Sequence, residues 1–152
     1  MVIGVISDTH GLLRPEAVAA LAGVEHILHA GDVGEFSILE KLREIAPVTA
    51  IRGNIDVWGD CAELPATDVV ELGDKLFYLV HSVRDLDINP AVAGVSVVVS
   101  GHSHKASVEV RDGVIYFNPG SAGPQRFSLP VTVGFVTVDD GVEASILELA
   151  VG

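Results

Sequence analysis

The chain's apolar residues are broken into short runs, and this constrains its fold more than anything else. Twenty-five of the 152 residues are Val, and with Ile, Leu and the aromatics they form stretches repeatedly stopped by Gly, Pro or charge. β-Branched side chains are stiff at χ1 and pack well on a pleated surface, so such runs predict strands. Ten are expected: Met1–Ser7, Glu25–Ala30, Pro47–Arg52, Thr67–Leu72, Lys75–His81, Val95–Ser100, Ala106–Arg111, Val114–Asn118, Val131–Asp139 and Glu143–Val151. Leu72-Gly73-Asp74-Lys75 and Arg111-Asp112-Gly113-Val114 have the composition of tight hairpin turns, and Asp139-Asp140-Gly141 of a third.

Helices are expected between the early strands. Pro15–Ala22 has Pro at its start and Gly23 just past its end. Glu35–Ala46 carries Phe36, Leu39, Leu42 and Ile45 at helical spacing and is stopped by Pro47. A third, Asp85–Ala93, must accommodate Pro90 in a first turn or a kink. Strand and helix alternate at first and hairpins dominate later, which predicts parallel pairing early and antiparallel pairing late. An α/β architecture of two mixed sheets packed face to face, with helices outside, accommodates these elements.

A chain of 152 residues is expected to form one domain over residues 1–152 and to bury ~68–70% of its unfolded surface. Ser121-Ala122-Gly123-Pro124 reads as a loop within it, not as a boundary. With 49% hydrophobic and 20% charged residues and a mean hydropathy of +0.46, disorder is excluded as a class. Each apolar run is too short to span a bilayer, and the first residues read as a strand, not a signal peptide. The single cysteine, Cys61, excludes an internal disulfide or a cysteine-cage zinc site, so a cytoplasmic protein is expected. The net charge of −12 opposes broad binding to nucleic acid or acidic membranes. It also means that an anionic substrate needs positive charge from something other than the average surface.

The residues that follow the strands narrow the function. The first strand runs into Ser7-Asp8-Thr9-His10, the second into His29-Ala30-Gly31-Asp32 and the third into Arg52-Gly53-Asn54. The strand through Leu79 ends at His81, and the Val95–Ser100 run at Gly101-His102-Ser103-His104. Any one of these residues has an ordinary explanation: Asp8 and Asp32 as turn formers or helix caps, Asn54 as a left-handed turn residue, His81 as a structural histidine. At five strand ends together they point to one site, because the carboxyl ends of parallel strands line the ligand crevice of open α/β sheets. Two Asp, one Asn and four His supply oxygen and imidazole donors without thiolate, a set suited to Mn, Fe, Co, Ni or Zn. Seven donors exceed one tetrahedral ion and suit two ions bridged by a carboxylate, a device for displacement at phosphorus. Two divalent ions would also bring the missing positive charge.

In this order, Asp8-x-His10, Gly31-Asp32, Gly53-Asn54, His81, Gly101-His102-Ser103-His104 and Asn118-Pro119-Gly120-Ser121 resemble the calcineurin-like metallophosphoesterase superfamily, in particular its small bacterial and archaeal phosphodiesterases. The resemblance spans residues 8 to 121. It implies a four-layer αββα sandwich in which Asp8, His10 and His104 hold one metal, Asn54, His81 and His102 hold a second, and Asp32 bridges them. It further implies a dinuclear phosphoesterase, more a phosphodiesterase than a monoesterase, that attacks phosphorus with a metal-bridging hydroxide. Asp32, Asn54 and His81 would be its catalytic core. Manganese is the expected ion, with Fe, Ni, Co or Zn as alternatives.

Two departures bear on activity. Many members carry His after the Asn, where it is thought to assist the leaving group; here Ile55 stands there, followed by Asp56. Ile55 cannot donate a proton, so a bias towards activated esters is expected, while Asp56 is expected to support a ligand, such as a histidine. Family members also often read His-Gly-His where this chain has His81-Ser82-Val83, which touches the pocket rim more than the metals.

Around this set, Asn118 and Ser121 are expected beneath the ligands. Arg126 is either a phosphate clamp or a solvated charge, and Arg52 is expected to point away. His29 is a candidate support for the site and His26 an exposed residue. Trp58 is either a pocket wall or half-exposed packing, and Cys61 is expected to be inert. The expected substrate is a small phosphoester, and open strand edges allow a homodimer. Competing readings are a non-catalytic metal-binding scaffold on the same fold, as serves in a eukaryotic trafficking complex, and a hydrolase of non-phosphate substrates.

Overall fold

All ten strands form in the computed structural model, which describes residues 1–151. They are β1 (Val2–Ile6), β2 (His26–His29), β3 (Val48–Ala50), β4 (Thr67–Leu72), β5 (Lys75–Val80), β6 (Val95–Val99), β7 (Ser107–Arg111), β8 (Val114–Asn118), β9 (Thr132–Val138) and β10 (Val142–Glu148). One sheet has the order β10-β9-β1-β2-β3 and the other β4-β5-β6-β8-β7. In the β4–β5 hairpin Gly73 and Asp74 have φ of 58° and 66°, and in β7–β8 Asp112 and Gly113 have 51° and 77°. Two consecutive left-handed residues match the right-handed strand twist, which is why Gly-Asp and Asp-Gly serve there.

The expected division into early parallel and late antiparallel pairing holds only in part. β1, β2 and β3 are parallel, as expected. The second sheet, however, has a parallel core, β5-β6-β8, with antiparallel hairpin partners at its two edges. The chain leaves β5, crosses over and returns beside it as β6, then passes the β7 hairpin strand before β8. Three neighbouring strands therefore release their carboxyl ends at the same edge.

Strand alternation builds the core between the sheets: Ile3, Val5, Leu28, Phe77, Leu79, Val97, Val99, Phe117 and Val136 are all fully buried there. Against the outer face of the first sheet pack α1 (Pro15–Ala20) and α2 (Ser37–Arg43), through Ala17, Ile38, Leu39 and Leu42. Burying a Leu or Ile side chain of this kind contributes roughly 1.5–3 kcal/mol. Both helices are shorter than their sequence patterns predicted: the last residues before Gly23 and Pro47 form turns, and α2 begins at Ser37 rather than at Glu35.

The outer layer over the second sheet is thin. The predicted helix Asp85–Ala93 splits into a 3₁₀ turn at Val83–Asp85 and α3 (Pro90–Ala93). Pro90 forces the residue before it out of the helical region, and Asn89 is accordingly extended (φ −94°, ψ 103°) and caps Val92 N–H through Oδ1 at 3.3 Å. No helix among the described residues is long and apolar enough to cross a membrane.

Candidate metal centre

The parallel strands of the two sheets end along one edge, and there the polar residues of the sequence motifs meet. Asp8, fully buried, leaves β1 through a left-handed residue (φ 56°). Its Oδ2 accepts from Ser7 Oγ–H (2.8 Å) and from His102 N–H (3.1 Å). Its Oδ1 has no hydrogen-bond partner and faces Nε2 of His10 (3.7 Å), His81 (3.8 Å) and His104 (3.5 Å). Asp32 divides its oxygens in the same way. Oδ1 accepts from Ile55 N–H (3.0 Å), while Oδ2 faces Nε2 of His81 (3.2 Å) and of His10 (3.4 Å).

Two triads result. In Asp8, His10 and His104, and again in Asp32, His81 and His102, one donor atom per residue lies within 4.8 Å of the others. Asn54 joins the second triad, with Oδ1 3.2 Å from His102 Nδ1. Among the described residues the buried atoms Asp8 Oδ1, His10 Nε2, His81 Nε2 and His104 Nδ1 are without hydrogen-bond partners, each at a cost of about 1–3 kcal/mol. With metal–donor bonds of ~2.0–2.2 Å, two ligands of one ion lie roughly 3–3.5 Å apart, close to the separations seen. Donor type, burial and spacing thus fit a pair of divalent cations.

The backbone is bent to achieve this. Of eight non-glycine residues with positive φ, five are Asp8, His10, Asp32, His102 and His104. Such conformations cost roughly 1–3 kcal/mol each and persist where the surroundings over-determine them, typically at functional sites. Closeness is the second device. A Cβ on Gly53 would overlap the Asp32 carboxylate and one on Gly101 would overlap Ser7 Oγ and Asp8 Oδ2, so both positions require glycine.

Electrostatics follow the geometry. Burial pushes the Asp32 carboxyl up, but the close approach of the His81 imidazole, the hydrogen bond from the Ile55 amide and the charges of His81 and His10 outweigh it and hold it below its ordinary value. Burial disfavours protonated His81, yet Asp32, the Ala30 carbonyl and Asp8 lift it above the ordinary value, so the carboxylates favour a cation here. His81 Nδ1 lies 2.7 Å from that carbonyl, which fixes its proton there in the neutral ring and leaves the Nε2 lone pair facing the carboxylates. Burial, with Arg126 and His10, lowers His104 despite Asp8 and Asp32, favouring the neutral, ligating form.

Beneath the candidate ligands, Asp56 makes no hydrogen bond to a histidine among the described residues; its carboxylate accepts from three backbone amides, Val33 (3.1 Å), Gly34 (3.0 Å) and Gly53 (2.8 Å). It thereby ties the loop bearing Asp32 to the loop bearing Asn54. Asn118 donates to the Gly101 carbonyl (3.0 Å) and to Ser103 Oγ (3.1 Å), and Ser121 donates to the Asp8 carbonyl (3.1 Å). Arg126 is exposed and reaches the site through its charge on His104. The Arg52 guanidinium donates to the Leu64 carbonyl at 2.6 Å. Trp58 is 72% exposed and, with buried Cys61, lines a cleft that includes none of the candidate ligands; the Cys61 thiol is raised by burial and by Asp56, Asp60 and Glu35. His26, expected to be exposed, is half-buried and pairs with Thr49 Oγ1 at 2.8 Å.

The motif reading left one support only partly resolved. His29 is 0% exposed; its Nδ1 accepts from Gly31 N–H (3.1 Å), so Nε2–H donates to Thr9 Oγ1 (3.0 Å), whose own proton goes to the Val33 carbonyl (2.8 Å). This relay joins the residue between Asp8 and His10 to the residues flanking Asp32. Only the position of Thr9 inside the first motif signals it in sequence. Burial, opposed by Asp8, Asp56 and Asp32, holds the His29 pKa down at about 4. The unfolded chain takes up this proton near pH 6.5, so His29 contributes its full stability above that pH and loses it as pH falls towards 4. Between pH 7 and 4.5 the wild type should lose about 2–3 kcal/mol more unfolding free energy than His29→Gln. Denaturant titration at both pH values measures this, and equal losses would contradict it.

Comparison with known proteins places the chain in context. The model of the calcineurin-like phosphoesterase superfamily domain matches residues 1–141. The probable metallophosphoesterase MJ0623 of Methanocaldococcus jannaschii is 32% identical over 162 residues, covering 98% of this chain and 82% of that one. The phosphodiesterase YfcE of Escherichia coli is 29% identical over 157 residues, covering 88% and 85%. Among solved structures, Vps29 of Chaetomium thermophilum superposes with a TM-score of 0.78 at 19% identity, covering 99% of this chain and 98% of that one. At that identity the likeness concerns the fold alone.

Proposed function

We propose that this chain, which belongs to the calcineurin-like phosphoesterase superfamily, is a two-metal phosphodiesterase acting on small phosphoesters with good leaving groups. The observation that carries this is the convergence of Asp8 Oδ1 and Asp32 Oδ2 on the Nε2 atoms of His10, His81 and His104, at 3.2–3.8 Å along one sheet edge. Asp8, His10 and His104 would hold one divalent ion, Asn54, His81 and His102 a second, and Asp32 both. Manganese is the ion we expect first, with Fe, Co, Ni or Zn also suited to this donor set. The ions, when bound, supply Lewis acidity at the phosphoryl oxygens and lower the pKa of water towards ~7.

The chain's own residues prepare that chemistry. Ser7 and the His102 amide saturate one oxygen of Asp8, so only the other is left to ligate. The Ile55 amide does the same for Asp32. The Ala30 carbonyl aims His81 Nε2 inward. The diester preference is supported by the relative named a phosphodiesterase and by open pockets of about 510 and 340 Å³ on the second sheet's side, with room for ester arms. No feature of the site favours a scaffold, since all seven ligand positions carry competent donors.

Assays of 4-nitrophenyl monoesters, diesters and nucleotides with each metal in turn test the proposal. Nitrophenolate release from a diester is expected, and no release with any of Mn, Fe, Co, Ni or Zn would refute it. Ile55 is partly exposed beside Asn54 and offers no proton. Ile55→His should therefore raise kcat on an alkyl phosphodiester by about 10²-fold, the lower range for general-acid assistance, with little gain on an aryl one. Equal gains on both would show that leaving-group protonation is not what the wild type lacks.

A further inference from the structure

The cationic side chains of this acidic protein are unevenly placed. Only nine of 152 residues are Lys or Arg, against 21 Asp or Glu. Yet Arg52 and Arg84 both line the 510 Å³ pocket that opens beside Asn54, His81 and His102, where Asp85 is the one carboxylate among the described lining residues. Arg84 also lines the neighbouring 340 Å³ pocket, so it stands in the wall the two share. There Arg111, the other lining cation, is engaged by Glu109 at 2.7 Å and lies over the Tyr116 ring. Arg84 makes no hydrogen bond or ion pair among the described residues. Arg52 spends one nitrogen on the Leu64 carbonyl and keeps the rest of its fork.

We propose that the pocket lined by Arg52 and Arg84 is a subsite for a second phosphate group of the substrate, beyond the one that is hydrolysed. The proposal rests on the two-metal phosphodiesterase reading for the position of the scissile phosphate. A free guanidinium with five N–H donors matches phosphate oxygens bidentately, which a metal-bound phosphate alone does not require. Two guanidiniums against one carboxylate leave this wall net positive in a chain of charge −12, so its local field favours an anion that the whole-molecule field repels. Among its lining residues are no Phe, Tyr or Trp, and the two imidazoles, His81 and His102, belong to the candidate metal site, so specificity here comes from charge, not from stacking on a base.

The test compares two 4-nitrophenyl esters of a nucleoside 5′-phosphate that differ only in a free 3′-phosphate on the sugar. The wild type should prefer the doubly phosphorylated ester by at least about tenfold in kcat/KM, the worth of one charge-assisted pair of hydrogen bonds. Arg84→Ala and Arg84→Glu should bring that ratio to about one or below, and Arg84→Lys should retain part of it. Arg84 is exposed, so these variants fold. Equal rates for both esters in the wild type, or a ratio unmoved in Arg84→Glu, would overturn the subsite while leaving the phosphodiesterase reading intact. Failure to hydrolyse either ester would count against that reading instead. Calorimetric binding of a nucleoside 3′,5′-bisphosphate against the 5′-monophosphate then decides the subsite without turnover, equal affinity refuting it.

Discussion

Asp32→Ala should abolish release of nitrophenolate from an aryl phosphodiester, with a loss of at least roughly 10³-fold. Removing a single donor that stabilises developing charge already costs about 10²–10³-fold, and Asp32 Oδ2 makes the closest carboxylate contacts with both triads, to His81 at 3.2 Å and to His10 at 3.4 Å. Bound metal should fall from two ions per chain towards one or none. The fold should persist, because among the described residues the side chain accepts a single hydrogen bond, from the Ile55 amide. Asp32→Asn separates the two functions: it keeps an acceptor for that amide and loses the charge. Metal content by elemental analysis, together with kcat at saturating metal, reads both effects. Undiminished turnover in Asp32→Ala would sink the proposed centre.

The largest stability effect is expected at a residue outside the ligand set. Asp56→Ala leaves the amides of Val33, Gly34 and Gly53 without their shared acceptor at a site where the carboxylate is almost fully buried. Hydrogen bonds to a charged group contribute about 1.5–3 kcal/mol each before water relieves part of the loss, so a cost of about 3–5 kcal/mol is expected. For a chain of this size that lowers Tm by on the order of 10 °C. Because those amides belong to the loops of Asp32 and Asn54, metal affinity should fall by about 10–100-fold as well. Asp56→Asn, which keeps one acceptor, should recover part of both losses. A purely structural residue would recover stability without recovering metal affinity, so the joint recovery distinguishes a support of the centre from a distant brace.

The ten strands and the donors at their ends were legible in the sequence because each signal is local. Val-rich runs bounded by Gly-Asp or Asp-Gly turns carry their strand character and their hairpins within a few residues. Asp8, Asp32, His81 and the Gly101–His104 segment stand directly after such runs, so their place at strand ends needs no knowledge of long-range pairing. The helix around Pro90 is shorter than its sequence pattern implies because the restriction that proline places on the residue before it outweighs weak helical spacing.

What could not be read one strand at a time depends on contacts between distant segments. The parallel run of β5, β6 and β8 brings His81, His102, His104 and Asn118 to one edge, although their hairpin-rich surroundings predicted antiparallel neighbours. The partners of Asp56 and the His29–Thr9 relay lie 20 or more residues away in most cases, and no spacing rule specifies them. The left-handed backbone at five candidate ligands and the pocket shared by Arg52 and Arg84 arise only when loops from both sheets close on one another. Sequence alone therefore determined which atoms this protein can offer to a cation, since donor chemistry is a property of residue type. Tertiary structure decided which of those atoms are desolvated, left without partners and held a few ångströms apart, because burial and distance are properties of packing.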